Sequence, residues 1–429
     1  MSTFQTSVII PVYNKWDLTR DCLKSLAATI DTGANEIIVI DNASTDRTPR
    51  AAPFLGTRLF GDNFKYIRND INRNFAGASN QGAELASGEF LVFLNNDTAA
   101  LPGWLPPLLR DFDEYPNIAA TGPVLLYPDE EPFGLTVQHL GIIVSPFLKF
   151  GHLYAGVPEA SPLVAKRRFF QAITAACMVM PRSLFMETGK FDEEYINGFE
   201  DVDLCGRLSA TGRRFTVNPA SRVIHREGQS PGRHNRDRNN YGLLLDKSLK
   251  FFQPDWQSLL AADNFTLDVD AWGMLRGALP LALENDLDRR LPTMTRDGLK
   301  KALLENIYWE RGWRARIDKI SGEKERAAVA DVYFNLCRTI PAAAYAAEAG
   351  RLAGDDALRR KGETFLKLYN APPEKILSDA RASRQLCQKL GLAELAAKFA
   401  ARIDNFDSFI KDTYPRYQRD YFSLLNNRV

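Results

Sequence analysis

Short, wholly apolar runs alternate with amphipathic stretches through the first half of the chain. Ser7–Val12 (SVIIPV) predicts a buried strand, and Asp17–Ala28 then sets Leu18, Cys22, Leu23 and Leu26 on one helical face. Glu36–Ile40 (EIIVI) predicts a second strand, followed by a short helix opening at Asp46–Ala52. Lys65–Arg68, a helical Gly77–Ala86 and Phe90–Leu94 (FLVFL) continue the alternation. Strands apolar on both faces and separated by helices belong to a mostly parallel sheet covered on both sides. Ligands of such sheets bind beyond the carboxyl ends of the strands. Further along, the pattern predicts a strand over Ile173–Met180 and helices at Arg182–Thr188 and from Glu200 to Ala210. Two strands follow, at Arg214–Val217 and Arg222–His225, and Gly228–Asn240 (GQSPGRHNRDRNN) reads as a loop.

The texture changes near Pro254. Ala/Leu/Lys/Arg/Glu stretches at helical period dominate, as in Leu299–Ile317, Ala327–Leu336, Ala342–Leu352 and Ala393–Ile403, with no strand pattern. The reading is an α/β domain over residues 1–253 and an all-α domain over 254–429. Ala346–Phe365 and Ala382–Phe399 are alike, each helix, small loop, helix, which hints at α-hairpin repeats.

Length and composition narrow the classes. At 429 residues the chain has room for two or three domains of roughly 100–200 residues. Lys and Arg (54) balance Asp and Glu (53), so no polyanion bias points to nucleic acid. The apolar runs are too short to span a bilayer, and Met1–Ile10 lacks the basic and apolar regions of a signal peptide. Five scattered cysteines without a CxxC pair fit a reducing cytoplasm.

The candidate chemistry sits at predicted strand ends. Asp97 follows Phe90–Leu94 in Asn95-Asn96-Asp97-Thr98, where a carboxylate can hold a divalent ion bridging two phosphates or simply cap a helix. Glu200-Asp201-Val202-Asp203 opens a helix, and three acids in four positions exceed what capping requires. A general base for a hydroxyl needs such a carboxylate. His225 ends an apolar strand (RVIH) and leads into Arg226, Arg233, Arg236 and Arg238, which suits a metal ligand with a basic flap over phosphates as well as a structural His. Asp41 ends EIIVID, where a carboxylate can accept from a base N–H or a ribose hydroxyl. No GxGxxG follows the first strand, which argues against a dehydrogenase-type dinucleotide fold.

Seven ordered segments carry a resemblance: SVIIPVYN, EIIVIDNASTD, NFAGASNQG, FLVFLNNDT, ITAACMVMPRSLF, GKFDEEYINGFEDVDLCGRL and VIHREGQS. Over about residues 5–250 the chain resembles glycosyltransferase family 2, most of all its rhamnosyltransferase-like branch. The resemblance implies a GT-A fold and inverting transfer from a UDP- or dTDP-sugar donor, with Mg²⁺ or Mn²⁺ as cofactor. It implies that Pro11, Val12, Tyr13 and Asp41 line a pyrimidine nucleoside pocket, and that Asn74, Gly77 and Asn80 lie beside ribose and diphosphate. Asn96 and the loop arginines Arg226 and Arg233 join the donor site. Asp97 stands for the last Asp of the DXD metal motif and His225 for the C-terminal metal-binding His. Asp201 matches the Asp of the xED motif, the catalytic base, with Glu200 or Asp203 positioning it. The chain departs from DXD in reading Asn95-Asn96-Asp97, with a single carboxylate.

The expected acceptor is a glycan, a lipid-linked molecule or a protein, in cell-surface polysaccharide or glycoconjugate biosynthesis. The expected location is cytoplasmic, including the inner face of a membrane. Two other classes compete. A nucleotidyltransferase would open with a Gly-rich basic loop, which VYNKWD is not; a non-catalytic carbohydrate- or protein-binding module would lose its acids first. The helical half is read as an accessory module that packs on the catalytic domain, forms a homodimer or meets the acceptor. Tyr414, Arg416, Tyr417, Arg419, Tyr421 and Phe422 could touch a membrane surface or dock internally.

Overall fold

Strands with apolar residues on both faces need cover on both sides, and they receive it. The computed structural model describes residues 4–128, 135–226, 236–270, 272–279 and 340–425, with scattered positions between 322 and 334. Four parallel strands form one side of the central sheet: β1 (Phe4–Val12), β2 (Asn35–Asp41), β3 (Phe64–Arg68) and β4 (Gly88–Leu94). They are linked by α1 (Trp16–Thr29), α2 (Thr48–Phe60) and α3 (Asn74–Leu85). The spatial order β4-β1-β2-β3 puts a topological switch between β1 and β4, where a crevice opens at the carboxyl edge. A Cβ on Gly82 would meet Ile9 Cγ2 at 2.4 Å, so the glycine lets α3 lie close against β1.

Beyond β4 the chain adds β5 (Thr98–Ala100), α4 (Leu105–Glu114), β6 (Ile118–Tyr127), β7 (Thr136–His139), β8 (Ile142–Val144), β9 (Phe150–His152) and β10 (Arg168–Phe170). Then come β11 (Cys177–Pro181), α5 (Arg182–Glu187), α6 (Glu200–Ser209) and β12 (Arg214–His225). The sheet runs β10-β12-β6-β11-β4-β1-β2-β3, with β5 on β12 and β7 on β6. β11 is antiparallel to β4, and β12 is parallel to β6. This mixed, mostly parallel sheet between helices has the GT-A arrangement that the sequence predicted. Two expected strands, at 214–217 and 222–225, are one, with a bulge between Asn218 and Arg222.

After α7 (Asp237–Lys247) and α8 (Trp256–Ala261), residues 266–278 correct the expectation of no strand past Pro254. β13 (Thr266–Val269) and β14 (Leu275–Ala278) form a hairpin with Trp272 buried at its turn. Asp255 accepts from the Val144 N–H at 2.7 Å. Asp263 accepts from Tyr154 at 2.5 Å, Lys166 at 2.8 Å and Arg168 at 2.7 Å, which ties residues 255–263 to the first half. Helices α9 (Ile340–Ala353) and α10 (Asp356–Tyr369) pair as one hairpin, and α11 (Pro373–Lys389) and α12 (Ala393–Asp404) as another. The predicted helix over Leu299–Ile317 and most of Ala327–Leu336 lie outside the described residues. Within α13 (Tyr414–Asp420) and just after it, Tyr417 and Phe422 pack edge-on against Trp272, and the Tyr414 hydroxyl donates to the Ala371 carbonyl. The terminal aromatics therefore dock inward. Among the described residues no helix is long and apolar enough to cross a membrane.

Candidate functional site

Six of the ten described non-glycine residues with positive φ lie at the carboxyl edge or just before α6: Asn14, Lys15, Ala43, Asn74, Asn197 and Phe199. Such conformations cost energy and persist only where the surroundings hold them, so the edge is tightly built. Asn14 ties the loops after β1 and β2. Its N–H donates to Ser44 Oγ at 2.7 Å, and its Oδ1 accepts from the Thr45 N–H at 2.8 Å. Asp41, fully buried at the end of β2, accepts from the Ser44 N–H at 2.8 Å and from the Tyr66 hydroxyl. Burial and the neighbouring Asp41 carboxylate push the Tyr66 hydroxyl well above the usual tyrosine range. Pro11 is half-buried beside Ile40, and Tyr13 is 46% exposed just past β1. The Val12 side chain belongs to the core, and its carbonyl reaches the edge, accepting from the Asn42 N–H at 2.7 Å.

The donor-side residues of α3 divide in the same way. Asn74, with φ 57°, starts the helix, and its carbonyl accepts from Asn42 Nδ2 at 3.0 Å. A Cβ on Gly77 would fit tightly, 3.1 Å from both Glu193 Oε2 and Arg73 Cβ. Asn80 is buried, and its amide is committed to the loop before α6, donating to the Phe191 carbonyl at 2.9 Å and accepting from the Phe191 N–H at 3.1 Å. Asn197 of that loop caps α3 by accepting from the Phe75 N–H at 3.0 Å. Asn96 likewise turns away to α1, donating to Thr19 Oγ1 at 2.9 Å.

Asp97 and His225, 128 positions apart, meet because β5 pairs antiparallel with the end of β12, Thr98 opposite His225. His225 Nε2 lies 3.2 Å from Asp97 Oδ1, and both side chains are about nine-tenths buried. Asp97 Oδ1 has no hydrogen-bond partner. An orphaned buried carboxylate oxygen facing an imidazole nitrogen at that spacing fits a divalent cation, whose ligands sit about 2.1 Å from it. Among the described residues no group of three His, Cys, Asp or Glu side chains could hold a metal, so the pair would leave most coordination positions open. The Arg226 N–H donates to the Asp97 carbonyl at 3.0 Å. Arg233 lies outside the described residues.

The carboxylates of α6 separate by direction. Asp201 Oδ2 accepts from the Ala175 N–H at 3.0 Å and Oδ1 from the Val202 N–H at 2.8 Å. The next residue, Ala176, accepts through its carbonyl from the Asn95 N–H at 2.9 Å, so Asp201 is two backbone links from the Asp97 loop. Glu200 Oε2 accepts from the Gly198 N–H at 2.6 Å and holds the strained turn that enters the helix. Asp203, two residues from Asp201, is turned about 200° around the helix and cannot share its pocket. It is buried against Tyr195, Ser248 and Arg207, at 3.3 Å from the tyrosine and 2.9 Å from the guanidinium. Asp203 is therefore held in packing contacts, on another side of α6 from Asp201.

Sequence reasoning missed a polar cluster behind His225. Gln138 Oε1 lies 3.3 Å from His225 Nδ1, and the Gln138 carbonyl lies 3.0 Å from His152 Nδ1. His139 Nε2 accepts from the Thr174 N–H at 3.4 Å. Burial, with His152 and His225 nearby, holds His139 well below the usual histidine range, so it is neutral. A Gln-His pair closing the apolar Thr136-Val137 was the available signal, but β7 itself went unread.

The mixed, mostly parallel sheet between helices is a GT-A-type fold. Residues 7–186 match the family model of glycosyl transferase family 2, so this N-terminal segment carries a domain of that family. The O-antigen biosynthesis protein RfbC of Myxococcus xanthus is 32% identical over 235 residues, 53% of this chain and 18% of its own length. An N-acetylglucosaminyl-diphospho-decaprenol L-rhamnosyltransferase of Mycobacterium tuberculosis is 26% identical over 62% of this chain and 85% of its own length. The chain thus spans about a fifth of the first relative and most of the second. A mannosyltransferase from Pyrobaculum calidifontis, solved with GDP-Man and Mn²⁺, aligns over 77% of this chain and 87% of its own at 17% identity and a TM-score of 0.42.

Proposed function

We propose that the chain transfers a sugar from a UDP- or dTDP-linked donor, with inversion, to a hydroxyl of a glycan, lipid-linked or protein acceptor in cell-surface polysaccharide or glycoconjugate biosynthesis. The observation that carries this reading is the juxtaposition at one sheet edge of an orphaned Asp97 Oδ1, His225 Nε2 and a backbone-held Asp201. Asp201 accepts the proton of the acceptor hydroxyl as its oxygen attacks the anomeric carbon from the face opposite the diphosphate. The Ala175 and Val202 N–H groups fix the carboxylate, so its orientation needs no reorganisation during the reaction. Glu200 holds the turn that starts α6 and so positions Asp201. Asp97 and His225 would hold Mg²⁺ or Mn²⁺, which when bound supplies positive charge to the departing diphosphate. Arg226, whose N–H donates to the Asp97 carbonyl, adds charge at the same end of the site.

The likeness to an O-antigen biosynthesis protein and to an N-acetylglucosaminyl-diphospho-decaprenol L-rhamnosyltransferase supports a surface-glycan role and a lipid-linked acceptor. The test is a panel of UDP- and dTDP-sugars with Mn²⁺ and candidate acceptors, following nucleoside diphosphate release and the anomeric configuration of the product. The expected result is acceptor-dependent release with an inverted product. A retained configuration would overturn the mechanism, and glycan binding without consumption of any donor would make the chain a binding module.

A further inference from the structure

His225 is contacted at both ring nitrogens by amide side chains. Gln138 Oε1, which can only accept, lies 3.3 Å from Nδ1; Asn95 Nδ2, which can only donate, lies 3.3 Å from Nε2. Of the two tautomers of a neutral ring, both amide contacts fit the one with the proton on Nδ1 and a lone pair on Nε2. That lone pair shares its corner with the unpartnered Asp97 Oδ1, 3.2 Å away. Two electron-rich atoms buried together with no proton between them are costly unless a cation joins them. A ligand histidine commonly donates its second N–H to an oxygen that fixes ring and tautomer.

We propose that Gln138 and Asn95 are positioning residues that hold His225 in the Nδ1–H tautomer before any metal arrives, so that Nε2 faces Asp97 as a ready ligand. This rests on the metal-site reading above. It gives the Asn95-Asn96-Asp97 sequence a physical role. A carboxylate at position 95 would offer Nε2 only acceptors and would draw the ring proton to that side. Gln138 is held in turn by its backbone in β7 and by its carbonyl, which accepts from His152 Nδ1–H at 3.0 Å. Neutral His139 adds no charge nearby.

The test is ¹⁵N NMR of the full chain labelled at histidine, metal-free at pH 8, with His225 assigned from the loss of its signals in His225→Asn. Wild type is expected to show His225 protonated on Nδ1. Gln138→Met, similar in size but without an acceptor, is expected to shift His225 toward the Nε2–H tautomer and to weaken Mn²⁺ binding about 10-fold or more. Gln138→Glu restores the acceptor and is expected to restore the Nδ1–H tautomer, which separates positioning from a folding defect. A proton on Nε2 in wild type, or an unchanged tautomer in Gln138→Met, overturns the proposal. If the tautomer responds as expected but Mn²⁺ binds to none of the proteins, the amide clamp stands and the metal-site reading fails.

Discussion

Asp201 and Asp203 carry the same functional group two positions apart on α6, and the helix sends them in different directions. Asp201 keeps company with backbone N–H groups at the sheet edge, whereas Asp203 is sealed against Tyr195, Arg207 and Ser248. Their substitutions should therefore fail differently. Asp201→Asn is expected to keep donor binding and lose turnover by at least about 10²-fold, read from kcat beside nucleotide affinity. Asp203→Ala is expected to cost about 3 kcal/mol in urea unfolding by breaking a buried ion pair, while kcat of the folded protein changes by only a few-fold. The sequence showed that acids cluster here. Which acid points at the chemistry needed the helical phase, and the phase needed the position of Phe199, a left-handed residue no pattern predicts. The Asn80 and Val12 side chains are likewise held in packing, in segments that the proposed function places beside the donor.

At the scale of elements, legibility followed strand length and cover. β1, β2 and β4 are seven to nine residues long and apolar through most of their length, so their run in the sequence is plain. β5, β8, β9 and β10 have three residues each, too few to display a period. β6 is buried almost throughout, yet Gly122-Pro123 within it reads as a turn. β12 looked like two strands because Pro219-Ala220-Ser221 carries turn chemistry; it forms a bulge in one strand instead. The β13–β14 hairpin hid in a helical texture, and its Trp272 became the anchor for Tyr369, Phe409, Tyr417 and Phe422. Trp272→Ala is expected to cost about 3–5 kcal/mol locally and to expose α13 to limited proteolysis, with the N-terminal domain remaining resistant. Simultaneous cleavage of both regions would contradict that anchoring.

Across the whole molecule, the segment after the α/β sheet is held by charge as well as by rings. Burial alone would raise the Asp263 carboxyl, but Lys166, Tyr154 and Arg168 outweigh it and hold the group below its usual value of 3.8. A carboxyl with a lowered folded-state pKa stabilises the protein fully above the unfolded value. That contribution disappears as the pH falls through the folded value, below 3.8. The stability difference between wild type and Asp263→Asn is thus expected to be constant from about pH 5 to 7 and to shrink below pH 4, read from urea midpoints across that range. A difference that does not change with pH would remove Asp263 from this role.

The proposed function requires the carboxyl edge of the sheet to bind a pyrimidine nucleoside diphosphate together with a divalent cation on Asp97 and His225. The most direct measurement is the melting temperature of the full chain with UDP and with dTDP, each in Mn²⁺ and in EDTA, for wild type and Asp97→Ala. A ligand at 100 times its Kd adds about 2.7 kcal/mol to the folded state, a readable shift. The expected result is a rise with one of the two nucleotides that needs Mn²⁺ and is lost in Asp97→Ala. An equal rise in EDTA would contradict the metal site, and no rise with either nucleotide would contradict the donor site itself.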